Sequence, residues 1–95
     1  MRSYEIVYVV RPDLPDEGHA KKVQRIHTLI TENGGEIIDT NDWGKRTLAY
    51  EIQHCSEGHY GLTTFHLPPQ AMRSLKERLN IDEEILRFQI VACHQ

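Results

Sequence analysis

The sequence predicts an α+β protein in which two helices cover one face of a four-stranded antiparallel sheet. Two amphipathic segments with helical spacing each lie between stretches rich in β-branched and aromatic residues. These elements follow one another as strand, helix, strand, strand, helix, strand. A chain of 95 residues has room for one hydrophobic core, so we expect a single domain over residues 1–95.

The first strand is predicted at residues 4–10, where apolar residues follow one another with a single charge. A nearly continuous apolar strand is typical of a central position in a sheet that is covered on both faces. Strict alternation assigns Ile6, Tyr8 and Val10 to one face and Val7 and Val9 to the other.

The first helix is predicted to begin near Pro15, which suits a first turn, with Asp13 or Asp16 as its capping residue. Residues 33–35, Asn-Gly-Gly, predict its end, because glycine accepts the left-handed conformation that follows many helices. Apolar residues recur on one side of this helix at Val23, Ile26 and Ile30, with Leu29 beside them.

The next two strands are predicted to form a hairpin. The first of them covers residues 36–40 and 46–52, with a bend or bulge at residues 41–44 between the two parts. Residues 54–58 are predicted as a short connection to the second strand, at residues 60–67.

Pro68 and Pro69 open the second helix, which Asn80 can end, and residues 85–91 form the last strand. The resulting order matches the split β-α-β, or ferredoxin-like, arrangement. We expect the core between helices and sheet to contain Ile6, Val23, Ile26, Ile30, Leu48, Leu75 and Leu79.

The sheet face without helices is also predicted to be apolar. A small soluble protein seldom exposes such a patch, so we expect a protein partner to dock there. The alternative is a mildly apolar sheet that stays exposed. The residues assigned to this partner face are Val7, Val9, Tyr60 and Leu62.

The charge balance limits how this chain could bind nucleic acid. Its formal net charge is −3, whereas proteins that bind nucleic acid alone are usually basic. An RNA contact is therefore expected to be local or shared with a more basic partner. No apolar run reaches the length of a membrane span, and the N-terminus resembles no signal peptide, so we expect a cytosolic protein.

The sequence gives no sign of an enzyme, a metal site or a cofactor. Its six histidines and two cysteines show no C-x-x-C or H-x-x-x-H spacing, and Cys55 and Cys93 are expected to be reduced. Its serines lack the G-x-S-x-G context. The Gly34-Gly35 pair closes a helix, whereas phosphate loops open one.

Two groups of cations are candidates for RNA contacts. Trp43 stands beside Lys45 and Arg46 at an irregular point of a strand, where a ring can stack on a base and an arginine can bind phosphate. Equally, Trp43 could fold over the hairpin and leave the two cations solvated. Arg2 and Arg87 form the second group, because their strands are neighbours in this fold and their charges are expected to converge.

The chain resembles the family of protein six of the bacterial small ribosomal subunit. The resemblance covers nearly the whole chain, and its most specific part is the string W-G-K-R-x-L-A-Y at residues 43–50. It implies a structural ribosomal protein of the ferredoxin-like fold. The family binds the central domain of small-subunit (16S-type) ribosomal RNA together with ribosomal protein eighteen, as a heterodimer, and performs no catalysis.

A free-standing ferredoxin-like module that regulates or dimerises through its open sheet is the alternative. A small-molecule module should carry a glycine-rich or polar loop after its first strand, but residues 11–15, with two prolines, are stiff. Within the RNA-binding interpretation, Arg2 and Arg87 are expected to contribute more than the helix cations Lys21, Lys22 and Arg25.

Overall fold

The computed structural model describes residues 1–93 and has the predicted architecture; His94 and Gln95 lie outside the described residues. The four strands form one sheet in the order β2-β3-β1-β4, in which every neighbouring pair is antiparallel. The elements are β1 (Arg2–Val10), α1 (Asp16–Glu32), β2 (Glu36–Ile52), β3 (Cys55–Leu67), a 3₁₀ turn (Pro69–Ala71), α2 (Met72–Ile81) and β4 (Ile85–Ala92).

Helix α1 begins and ends where it was predicted to, but its N-terminal cap differs from the prediction. Gly34 has a φ of 86°, and its amide and that of Gly35 donate to the carbonyls of Thr31 and Ile30. At the other end Pro15 is the N-cap and provides no side-chain cap. The prediction of an aspartate cap was therefore wrong, because Asp16 is already the first helical residue and Asp13 instead pairs with Arg11 at 3.2 Å.

The β2–β3 hairpin is longer than predicted. The predicted bend at residues 41–44 is a bulge within one strand, since the pairing shifts between Asp42 and Gly44. The predicted connection at residues 54–58 was wrong, because β3 already begins at Cys55. The turn consists of Gln53 and His54, whose φ values of 48° and 66° are typical of a tight hairpin turn.

Most of the predicted core is confirmed. Ile6, Ile26, Ile30, Leu75 and Leu79 are buried between the helices and the sheet, and Val23 packs at the margin of that cluster.

Leu48 is buried as well, but on the other face of the sheet, in a second cluster with Val9 and Leu86. The bulge at Trp43 explains this error. Asp42 lies opposite Gly61 on the helix side, and one extra residue reverses the alternation that follows.

Truncation of a central core residue tests this assignment. Ile26 and Leu75 are fully buried, so Ile26→Ala or Leu75→Ala is expected to lower the free energy of unfolding by about 2–5 kcal/mol in a denaturant titration. The matched control is Ile81→Ala in α2, where the side chain is exposed and a change below about 0.5 kcal/mol is expected. Equal losses in core and control variants would contradict the assignment.

Candidate nucleic-acid and partner interface

The predicted partner residues lie together on the helix-free face. In the sheet register Val7 lies opposite Leu62, and Val9 lies opposite Tyr60. Residues directly opposite one another in antiparallel strands project to the same face, so these four side chains form one patch. The strand β4 extends the patch, since Arg87 lies opposite Val9 on its other side.

One end of this patch is covered by the chain itself. Val9 is only 4% exposed, because Leu48 of the hairpin packs on it. The close approach requires glycine at position 58, where a Cβ would collide with Val9 Cγ1. Val7, Tyr60 and Leu62 remain half-buried. Val9 therefore lies beneath the patch, and the other three residues form its accessible surface.

Arg87 is held at the edge of this patch. Its Nη1 donates a hydrogen bond of 2.6 Å to the hydroxyl of Tyr50, which comes from the far end of the hairpin. A shallow groove of about 160 Å³ lies beside it, between Val7, Tyr60 and Gln89. The guanidinium group is exposed and oriented, which suits an arginine that binds an anion.

Arg2 and Arg87 do not converge. Their strands are neighbours, as predicted, but Arg2 lies opposite Leu67 and Arg87 lies opposite Val9. Seven positions along β1 separate these pairs, which corresponds to roughly 23 Å at about 3.3 Å per residue. Alternation also places Arg2 on the helix side of the sheet. The expectation was wrong because β1 and β4 are antiparallel. The start of β1, where Arg2 lies, is beside the end of β4, whereas Arg87 lies near the start of β4.

Trp43 is the extra residue of the β2 bulge, and it is 41% exposed. The bulge is stabilised by Gly44, whose φ is 77° and whose amide donates to the Asp42 carboxylate at 2.8 Å. The guanidinium carbon of Arg46 lies 5.8 Å from the centre of the indole ring. Trp43 therefore forms an exposed cation–π pair and does not fold into the hairpin core.

Lys45 and Arg46 point to opposite faces. Lys45 lies opposite His59 on the helix side, whereas Arg46 lies opposite Gly58 on the helix-free face. Of the five residues predicted to contact RNA, Arg46 and Arg87 share the helix-free face, with Trp43 at the β2 edge. Arg2 and Lys45 lie on the other side of the sheet.

Among the helix cations, Lys22 is neutralised within the protein. Its ammonium lies 2.6 Å from Asp82 and 2.9 Å from Glu84, so it connects α1 to the turn before β4. Burial by itself lowers the pKa of Lys22. Hydrogen bonds and negative charge from these two carboxylates together outweigh burial, so the pKa lies above its ordinary value of 10.5. Lys21 and Arg25 are exposed.

Comparison with known proteins gives this surface its context. The chain matches the family model described as Ribosomal protein S6 over residues 3–92. It belongs to the ribosomal protein S6 family. This membership confirms the resemblance seen in the sequence. Because the family is structural and non-enzymatic, it also confirms the expectation that the protein is not an enzyme.

Relatives and a solved structure agree with this membership. The chain is 45% identical to small ribosomal subunit protein bS6 of Caldanaerobacter subterraneus subsp. tengcongensis, covering 96% of each chain. It is 38% identical to the protein of the same name from Fusobacterium nucleatum, covering 96% of this chain and 97% of that one. The crystal structure of 30S ribosomal protein S6 from Thermotoga maritima has a TM-score of 0.91 at 30% identity, over 97% of this chain and 87% of the other.

Sequence reasoning missed two features of these surfaces. Tyr50 was not singled out, although alternation with Leu48 could have placed it on the same face. The stacking of His19 on His59 was missed because α1 and β3 are far apart in sequence.

The expected free thiols at Cys55 and Cys93 are confirmed. Within residues 1–93, none of the helices is long and apolar enough to cross a membrane.

The Lys22 ion pairs predict a measurable contribution to stability. Lys22→Met should lower the free energy of unfolding by about 1–2 kcal/mol, between the values of exposed and fully buried pairs. The same change at exposed Lys21 should cost less than about 0.5 kcal/mol. Because the pKa of Lys22 is raised, its contribution is complete below pH 10.5 and is lost as the pH rises through the raised value. Equal unfolding curves for the two variants at neutral pH would refute this role.

Proposed function

We propose that this protein is a structural component of the small ribosomal subunit that binds the central domain of the subunit's ribosomal RNA jointly with ribosomal protein eighteen. The observation that carries the proposal is membership of the ribosomal protein S6 family over residues 3–92. Relatives named small ribosomal subunit protein bS6 align over nearly their full length, which supports the same role for this chain. Its place would be the ribosome of the cytoplasm or, for an organellar protein, of the organelle matrix.

The helix-free face suits a protein partner. Val7, Tyr60 and Leu62 are half-buried there, and Val91 of β4, which lies on the same face, is 50% exposed. An apolar patch of this kind in a small protein favours docking. Ribosomal protein eighteen would cover this patch and form a heterodimer.

The net charge supports a shared RNA contact. With a formal net charge of −3, the chain cannot supply a broad basic surface, so the partner would contribute most of the phosphate neutralisation. Arg87 and Arg46 on the helix-free face, with Trp43 available for stacking, would make the local contact of this chain. Arg2 and Lys45 would contribute separate contacts at other places.

Sedimentation tests the location. The protein should co-sediment with the small ribosomal subunit and its precursors at low salt, and high salt should release it because counterions compete for phosphate contacts. Recovery only in the ribosome-free fraction at low salt, particularly as a self-associated dimer, would favour the free-standing module instead.

Single-charge variants test the RNA surface. RNA binding by the protein together with ribosomal protein eighteen would be measured over a salt series. Arg87→Ala should weaken binding and reduce the salt dependence by about one phosphate contact. Lys21→Ala, the matched control on the helix side, should change neither.

A double variant tests whether Arg2 and Arg87 contact RNA independently. Because Arg2 and Arg87 lie far apart, their effects on the binding free energy should add in the double variant. Strong coupling between Arg2 and Arg87 would contradict their separation.

The single variants have a contradicting outcome of their own. A loss of RNA affinity on replacing Lys21, without a loss on replacing Arg87, would place the RNA surface on the helix side.

A further inference from the structure

Three side chains capable of binding a metal meet on the helix side of the sheet. They are His19 from α1, Asp42 from β2 and His59 from β3, and their donor atoms all lie within 4.8 Å of one another. His59 Nε2 is 2.7 Å from Asp42 Oδ1, and the two imidazole rings lie parallel with their centres 3.4 Å apart. Three separate elements of the fold thus converge at this point.

His19 points to a missing ligand. Its side chain is 8% exposed, and its Nδ1 is buried without a hydrogen-bond partner in the described part of the chain. Buried polar atoms are nearly always satisfied, so an unpaired nitrogen beside two other donors needs an explanation. A bound cation would provide the missing interaction.

A cavity of about 450 Å³ opens beside the three side chains. Its walls include polar groups of Asp16, Gln24, His27, Thr40 and Asn41. This space admits a water molecule as a further ligand. An ion could enter from this side without disturbing the core.

We propose that His19, Asp42 and His59 form a binding site for a zinc-type divalent transition-metal ion. Two imidazoles and one carboxylate are a typical ligand set for such ions, with a fourth position left to water. Magnesium and calcium prefer all-oxygen sites, so this set disfavours them. The ion would fasten α1 to the hairpin strands β2 and β3.

Without metal, the hydrogen on His59 Nε2 is donated to Asp42 Oδ1, which lies 2.7 Å away. Metal binding at Nε2 requires the tautomer that carries its hydrogen on Nδ1, so the hydrogen moves from Nε2 to Nδ1 by exchange with water, with no net release of a proton. Ligand atoms of a tetrahedral zinc lie about 3.3 Å apart. Because the two stacked rings are nearly parallel, one imidazole would turn out of the stack, and the exposed Asp42 side chain would rotate, so that all three donor atoms face the same ion.

Titration with cobalt tests the site, because tetrahedral Co²⁺ absorbs visible light. The chelator-treated full chain should bind one Co²⁺ with a d–d absorption band, and Zn²⁺ should displace the Co²⁺ and abolish the band. Zn²⁺ should also raise the thermal unfolding midpoint, since it binds only the folded state. Absence of both effects at neutral pH would overturn the proposal.

Variants separate this site from chance binding to surface histidines. Asp42→Asn and His59→Gln should each weaken Co²⁺ affinity by at least about tenfold, because even outer-shell changes have effects of this size. His66→Gln is the matched control, since His66 lies opposite Ser3 on the other face. Circular dichroism would verify that all three variants fold. Unchanged affinity in Asp42→Asn and His59→Gln, or an equal loss in His66→Gln, would refute the site.

Discussion

The strand β1 is the constraint on which the rest of the structure depends. It is hydrogen-bonded along both edges, to β3 and to β4, and both apolar clusters are built on it. Ile6 and Tyr8 face the helices, whereas Val9 faces the hairpin. A slip of one residue would exchange these faces and expose the core, so the register of β1 is strongly fixed. That register also determines which side chains of β3 and β4 lie on each surface.

The helix-free face is divided by the hairpin. Because Gly58 has no side chain, Leu48 can pack on Val9 and bring Tyr50 within hydrogen-bonding distance of Arg87. One end of the face is therefore covered and carries an oriented arginine. The remaining part, around Val7 and Leu62, stays accessible. Packing, positioning of a cation and exposure of an apolar patch thus have one common cause.

The sequence predicted the elements well because spacing and stop signals are local. The helix end at Gly34 and the bulge near Trp43 were both readable in this way. The face of the sheet on which each side chain lies was harder to predict, since the single extra residue at Trp43 reverses the alternation along β2 and moves Leu48 away from the helices. The positions of Arg2 and His59 depend on antiparallel register and on packing between distant elements, which local patterns do not encode.

The register also distributes charge along the helix-free face. Arg87 and Arg46 lie toward the end where the hairpin packs. Two carboxylates, those of Glu5 and Asp39, lie toward the other end, on either side of Thr64. A face with cations at one end and carboxylates at the other can meet phosphate and a basic protein at the same time. A uniformly basic face would repel such a partner. The acidic balance of the chain is therefore compatible with the proposed RNA contact, because the contact requires only local positive charge.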